Sequence, residues 1–546
     1  MNSSSSSSIS NLSMKRFASV CDLERQSHAA QQQQQQGQPK RGMSLLTSMS
    51  GHSPRQLQKM ALIALLGMVF MVSSLVVTVS TGSDMPHIRV FNGFKSALGL
   101  ELALDIDEKP LVWGKVQQEL AQTKADEQLK EFQRAQMHRQ FALSFSHYAQ
   151  QGTVPRGMVL PLFDDIAHLG LSVILELRAL GMNMPIEIPH CGDFKPEFQQ
   201  MIQTRDPLVR VYDVCEQALK ATNVLGSGHK LFCGNRNQCY KRFRGFSIKI
   251  ISVVFSQFQE VMLVDADTLF FQNPMKLWEL ARYKQTGTLF FHDRISSADD
   301  YLAERIGNTT DGKPISSLHA YLSNFDVAPY RPLASIPRER AAIKKSHSIP
   351  MRLHFDPSEF LLSSHSWNLR AGHEMDSSLL LWNKSKQQRA TAILASFLAL
   401  NGIPIPPSYG DKELFFIACE LAETKYSFSD YGVGSLGTDL HDYDGKPGSM
   451  LCGGGLHYFP DAKSPYGAKL LYLNSDDILL MNVSEDKIYR SAARSAEFYA
   501  GSFAERDIPQ ECPFDIKTLP LTADEKAMIA RRQQYHQMVR DWQLSP

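Results

Sequence analysis

Val261–Pro274 reads VMLVDADTLFFQNP, and the rest of the chain is arranged around it. Its first four residues, Val261 to Val264, are apolar without a break, the pattern of a strand buried on both faces. Asp265-Ala266-Asp267 ends that strand, Leu269 to Phe271 is a second apolar group, and Asn273-Pro274 closes the unit as a turn. Two carboxylates at the end of a buried strand are costly unless a cation pairs with them. A hard divalent cation bridging a pyrophosphate meets that need, and open α/β sheets bind ligands at the carboxyl ends of their strands. Asp-x-Asp also occurs at Asp105–Asp107 and Asp442–Asp444. Neither follows a buried strand, so both read as solvated charges.

The chain has 546 residues, enough for one large or two medium domains plus extensions, and its 43% hydrophobic share is that of a globular protein. A net charge of +1 gives no reason to expect nucleic acid as a partner. Residues 1–59 carry seven Lys/Arg against Asp22 and Glu24, a net +5 that leaves −4 for the remainder. Their Ser and Gln runs cannot bury enough apolar surface to fold, so this segment is expected to be a disordered tail. Met60–Ser83 follows without one charge and is long enough, at about 20 residues per bilayer core, to be a transmembrane signal anchor. The basic side precedes it and Asp84 to Glu108 is net acidic, so the N-terminus is expected in the cytosol and the remainder across the membrane. Seven of the eight cysteines lie after this segment, an odd number that leaves at least one free or paired between chains. Asn308, Asn383 and Asn482 begin Asn-x-Ser/Thr sequons.

Residues 84–152 read as a helical stem, 153–485 as the catalytic domain and 486–546 as a helical extension. Within the domain, Met158–Leu162, Pro185–Pro189, Pro207–Tyr212, Thr288–Phe291 and Leu379–Trp382 read as strands. Ile166–Leu180, Gly245–Phe258 and Ala390–Leu400 read as helices. Strand, helix and strand with short connections form a βαβ unit and predict a parallel sheet. Ile295–Phe355 reads as a long irregular region, and Gly453–Phe459 as a Gly-rich loop carrying His457.

Five blocks then occur in order: VMLVDADTLFFQNP, TGTLFFHDR (Thr286–Arg294), EMDSSLLLWNKS (Glu374–Ser385), YGDKELFF (Tyr409–Phe416) and CGGGLHYFPDAKSPY (Cys452–Tyr466). Together they resemble the fungal α-1,3-mannosyltransferase family, with similarity to glycogenin-like retaining glycosyltransferases. The resemblance covers about Gly157 to Asn482. It implies a GT-A fold, a Rossmann-like mixed sheet flanked by helices, in a type II Golgi membrane protein. It implies transfer of mannose from GDP-mannose to a glycan or glycoprotein acceptor with retention of configuration. A UDP-sugar donor, and a membrane-anchored glycan-binding protein without catalysis, remain open beside it. His457 and Lys463 keep the His-to-Lys spacing of the glycogenin-like pattern, whereas Pro460 stands where Gly is expected and Ser464-Pro465-Tyr466 replaces Pro-Trp.

On that resemblance Asp265, Asp267 and His457 are the expected ligands of Mn²⁺ or Mg²⁺, since carboxylates suit either ion and an added imidazole favours Mn²⁺. Cleavage of a nucleotide sugar expels a diphosphate whose growing charge needs a cation. Lys463 suits phosphate as a point charge, and Lys249 matches a donor-contacting basic position in similar enzymes. Asp376, Asp411 and Glu413 fall in blocks that line the donor sugar and the reacting centre there. His292-Asp293, at a strand end, is placed to bind donor or acceptor hydroxyls. Lys412 stands where similar enzymes carry an amide, so no nucleophile is assigned.

Overall fold

In the computed structural model, β1 (Val154–Val159), β2 (Ile186–His190), β3 (Val209–Asp213) and β4 (Phe258–Val264) pair in parallel in the order β3-β2-β1-β4. The described residues are 152–223, 228–295, 300–342, 348–400, 405–460, 467–477, 487–496 and 512–544, with isolated positions between 122 and 144. The expected tail, the membrane segment 60–83, nearly all of the stem, Asp105–Asp107 and Asn482 lie outside them. Among the described residues no helix is long and apolar enough to cross a membrane.

Past β4 the central sheet continues through β9 (Met375–Asn383), antiparallel to β4, and then β6 (Thr288–His292), antiparallel to β9. The result is the mixed α/β sheet expected from the sequence. β4 shows why its apolar run has no period. Val261 and Leu263 enter one core with Ile250, Ile251 and Val254 of the helix Ser247–Phe255. Met262 and Val264 enter a second core with Leu171, Ile174 and Leu177 of the helix Ala167–Ala179. Side chains alternate across a strand, so burial of both faces demands an unbroken hydrophobic run.

The second sheet is antiparallel and contains β5 (Thr268–Phe270), β10 (Gly434–Tyr443), β11 (Lys446–Tyr458), β12 (Leu470–Asn474), β13 (Tyr489–Ser491) and β14 (Thr518–Pro520). Its order is β14-β13-β10-β11-β12-β5. The chain leaves the central sheet at Val264 and joins this one at Thr268, so Asp265-Ala266-Asp267 is the bridge between the two. A small hairpin, β7 (Arg305–Asn308) with β8 (Pro314–Ser316), stands apart.

Three sequence readings change. Gly453–Phe459 is not a loop: as far as Tyr458 it is the end of β11. At Gly453 the neighbouring strand approaches too closely for a side chain; a Cβ there would lie 2.3 Å from the Leu436 carbonyl oxygen. Within Ile295–Phe355, the β7–β8 hairpin leads into a helix, Ser317–Asn324, closed by a Ser316/His319 capping box. Leu318 and Leu322 of that helix are buried. The segment 486–546 is more than helical, since β13 and β14 complete the second sheet and the helix Ala523–Leu544 packs on Ala167–Ala179. Disulfides join Cys191 to Cys215, Cys233 to Cys239 and Cys452 to Cys512, and leave Cys419 free and buried. Asp442–Asp444 sits at the β10–β11 hairpin end, with the Asp442 carboxylate accepting from the Gly448 amide at 2.7 Å, as a turn charge should.

Gly453→Ala should therefore cost about 1–3 kcal/mol of stability through overpacking. Gly307→Ala, where a Cβ meets nothing within 4 Å, should stay within about 0.5 kcal/mol. Chemical denaturation of the two variants checks this; a wild-type midpoint for Gly453→Ala would mean that β10 and β11 do not approach so closely.

Candidate active site

The turn between the sheets is fastened peptide by peptide. The Asp265 amide donates to the Ser378 carbonyl of β9 at 2.8 Å, and the Thr268 amide returns to the Asp265 carbonyl at 3.3 Å. The Asp267 carbonyl accepts from the Ser475 amide, just past β12, at 3.2 Å. Strands of both sheets thus hold the two carboxylates where the strands end.

Lys249 reaches this turn from the helix Ser247–Phe255. Its Nζ donates to Asp265 Oδ2 at 2.8 Å and to Ser377 Oγ at 3.2 Å, and lies 3.5 Å from Asp411 Oδ1. Burial works against its charge, but Asp265 and Asp411 outweigh burial and hold Lys249 above its ordinary pKa. Asp411, only 1% exposed, receives no donor with hydrogen-bond geometry on either oxygen among the described residues. Burial raises its pKa and Lys249 opposes that.

Asp265 is pushed up to about 6, chiefly by burial and against the pull of Lys249, with Asp411 and Asp376 adding to the rise. Burial, Asp265 and Asp476 push Asp267 up to about 7. The site thus crowds more carboxylates than its cations balance.

Two further pairs complete it. Asp293, after β6, accepts from Lys412 Nζ at 2.5 Å and from the Arg294 amide at 2.7 Å. Asp376, at the start of β9, accepts from the Ser378 amide at 2.6 Å and pairs through Oδ2 with His457 Nε2 at 2.8 Å. Burial alone would raise the Asp376 pKa; the hydrogen bond and charge of His457 override it and keep the carboxyl well below the usual range.

His457 itself is 1% exposed, stacked on Tyr472 at 4.4 Å between centroids and met edge-on by Phe291 at 5.4 Å. β11 therefore delivers this imidazole between the sheets toward Asp376, rather than into a shared set with Asp265 and Asp267. Among the described residues, the one group of three His, Cys or acidic side chains with ligand atoms within 4.8 Å is Asp439, His441 and Cys452. Cys452 is spent in its disulfide with Cys512, so that group is no metal site.

Glu413 is also turned inward. It is fully buried and its two oxygens accept from the amides of Glu374 at 3.0 Å and Met375 at 3.2 Å. It fixes the start of β9, which carries Asp376 and Ser377, and does not face the turn. Lys463 lies outside the described residues. His292 donates from Nε2 to the Ser429 carbonyl, 3.1 Å away, and its pKa is pushed down to about 4 by burial and by His365.

Reading the sequence missed Ser377, Tyr472 and Arg532. Only Arg532 left a signal. Ile529, Arg532, His536 and Val539 are all buried and recur at helical spacing, so an arginine and a histidine occupy an apolar stripe.

The sequence profile of a family described as "Mannosyltransferase putative" matches residues 155–456, more than half of the chain. "Putative alpha-1,3-mannosyltransferase MNN14" of Candida albicans is 24% identical over 301 residues, covering 54% of this chain and 37% of the relative. "Putative alpha-1,3-mannosyltransferase MNN1" of the same organism is 25% identical over 350 residues, covering 60% and 38%. The matched stretch thus spans less than two fifths of either relative's length. Among solved structures, the apo form of the bifunctional glycosyltransferase WbbM aligns over 51% of this chain and 39% of its own, with 12% identity and a TM-score of 0.28.

Glu374, beside the site, gives a pH test. Its carboxyl is pushed up to about 8, chiefly by burial. A raised acid pKa contributes stability that is complete below the unfolded value and is lost as pH rises through the folded one. Glu374→Gln mimics the protonated form. The melting temperature of this variant relative to wild type should therefore rise steadily between pH 5 and pH 8; a constant or falling difference would contradict a protonated Glu374.

Proposed function

The chain belongs to this mannosyltransferase family, and from that premise we propose that it is a metal-dependent glycosyltransferase of GT-A type that transfers mannose from GDP-mannose to a glycan acceptor. The product linkage would be α-1,3 and the transfer retaining. The protein would be a type II, single-pass Golgi membrane protein with this domain in the lumen, as the charge-free Met60–Ser83 and the basic tail before it suggest.

The observation that carries the reading is the Asp265-Ala266-Asp267 turn, whose carboxyls are driven toward neutrality by burial and by neighbouring acids. Such a site favours a divalent cation, and its oxygen donors suit Mn²⁺ or Mg²⁺. Asp265 and Asp267 would hold the ion, and His457 would join them only by giving up Asp376. When bound, the cation would offset the negative charge of the departing diphosphate.

The chain's own side chains divide the remaining tasks. Lys249 opposes the neutralisation of Asp265 and orients it, and Lys463 would meet the diphosphate. Asp411 is a buried carboxylate with Lys249 3.5 Å away and no donor in hydrogen-bond geometry among the described residues, which suits a hydroxyl of the donor sugar. His457 holds Asp376 ionised, and Lys412 orients the Asp293 side chain through their ion pair; these paired acids would face the sugar and fix its pose. Developing positive charge at a sugar carbon is favoured beside ionised carboxylates.

The test uses the full-length protein in detergent. Mn²⁺ with GDP should raise its melting temperature by mass action, and UDP should not; the reverse preference would replace GDP-mannose by a UDP-sugar. Asp267→Asn should lower turnover at least ~10²-fold, whereas Asp442→Asn, in the hairpin, should match wild type. Full turnover without a divalent cation, or by Asp267→Asn, would sink the metal assignment. Glycan binding without turnover of any nucleotide sugar would sink the enzyme.

A further inference from the structure

Beneath the turn lies a charge that the proposed reaction does not touch. Arg532, on the helix Ala523–Leu544, is fully buried. Its Nη1 donates to Ser172 Oγ, and its Nη2 lies 3.2 Å from the Leu169 carbonyl, 3.4 Å from that of Ala266 and 3.5 Å from that of Thr268. Its Nε is 3.5 Å from Glu176 Oε2, which also accepts the Phe270 amide at 3.1 Å. The guanidinium therefore faces the carbonyls on both sides of Asp267, and its counter-ion holds the strand that follows.

A buried arginine needs such partners, because an unpaired charge in the interior is strongly destabilising. That requirement can be met anywhere in a core, and here it is met on the backbone of the Asp-x-Asp turn. The other peptide groups of the turn are fixed from β9 and from the end of β12. Arg532 adds the third anchor, from a helix beyond the segment 155–456 that the family profile matches. A planar guanidinium can address several acceptors at once; a lysine ammonium on its flexible stem cannot reproduce that fork.

We propose that Arg532 is a positioning residue: by holding the Ala266 and Thr268 carbonyls it sets the peptide planes from which Asp267 projects, and so tunes the turn for its cation. The cation part rests on the proposed function; the backbone part does not.

Hydrogen exchange on the full-length protein separates the two. In Arg532→Lys, peptides covering 264–270 should exchange about tenfold faster or more, as loss of charge-assisted anchors predicts, with β1 unchanged. The Mn²⁺ concentration giving half of the GDP-induced rise in melting temperature should increase by a similar factor. Val539→Ala, a buried residue of the same helix, controls for loosened packing and should leave both readouts near wild type even where its melting temperature falls as far. Wild-type exchange over 264–270 in Arg532→Lys, or equal acceleration in Val539→Ala, would overturn the proposal. Should Arg532→Lys fail to fold, Ser172→Ala removes only the hydroxyl at Nη1. It should accelerate the same peptides to a smaller extent, and no change would overturn the proposal. If wild type shows no Mn²⁺ and GDP response, the functional reading fails while exchange still decides the anchor.

Discussion

A lysine ammonium largely withdrawn from water, as that of Lys249 is, must find negative charge within a few ångströms. Lys249 finds it at Asp265 and Asp411, and a hydroxyl at Ser377. Those three residues come from the end of β4, the approach to the helix Leu414–Leu421, and β9. One cation thus ties together segments far apart in the chain. The pair is not a surface ion pair worth a fraction of a kcal/mol. Removing one member would strand the other in the interior, a change that typically costs 3–5 kcal/mol. The carboxylates stay available for chemistry because Lys249 satisfies only part of their charge.

The two-sheet architecture explains why those charges can exist there. β4 is covered on both faces and can end only in a turn, since Thr268 must already be pairing with Asn474 of β12. Three residues make the passage, and both acids lie in it. Their backbone is occupied by strands on either side, and of their side chains Asp265 is paired with Lys249. A rigid backbone with mobile charge demand is what an ion-binding turn requires, because the geometry is set before the ligand arrives.

The central sheet was legible because burial on both faces leaves a plain mark: four apolar residues in a row, then a turn. β1, β2, β3 and β6 also lie within a few residues of where the sequence places them. The Gly-rich segment was misread because glycine signals a loop by default. What selected it here was the Leu436 carbonyl opposite Gly453, which no local pattern reveals. His457 was visible as a residue of interest but its partner was not. Asp376 is 81 residues away in sequence, and only the packing of β11 against Phe291 and Tyr472 aims the ring at it. Glu413 sits in a suggestive block, yet its oxygens are taken by two backbone amides. Charge type and spacing identify the acids near the centre; they do not say which of them is spent on structure.

That distinction orders the site. Glu413 holds the start of β9, so Asp376 and Ser377 depend on it. His457 keeps Asp376 ionised, and Tyr472 keeps His457 in place. Asp265 leans on Lys249, and the peptides around Asp267 lean on Ser475 and Arg532. Asp376 and the peptides around Asp267 therefore each rest on a buried partner, His457 and Arg532. Two carboxylates break this pattern. Asp411 has a nearby cation but no hydrogen-bond donor among the described residues, and the Asp267 carboxyl is surrounded by acids. In a folded interior such groups need an explanation beyond stability, which the cation and donor proposed above would supply.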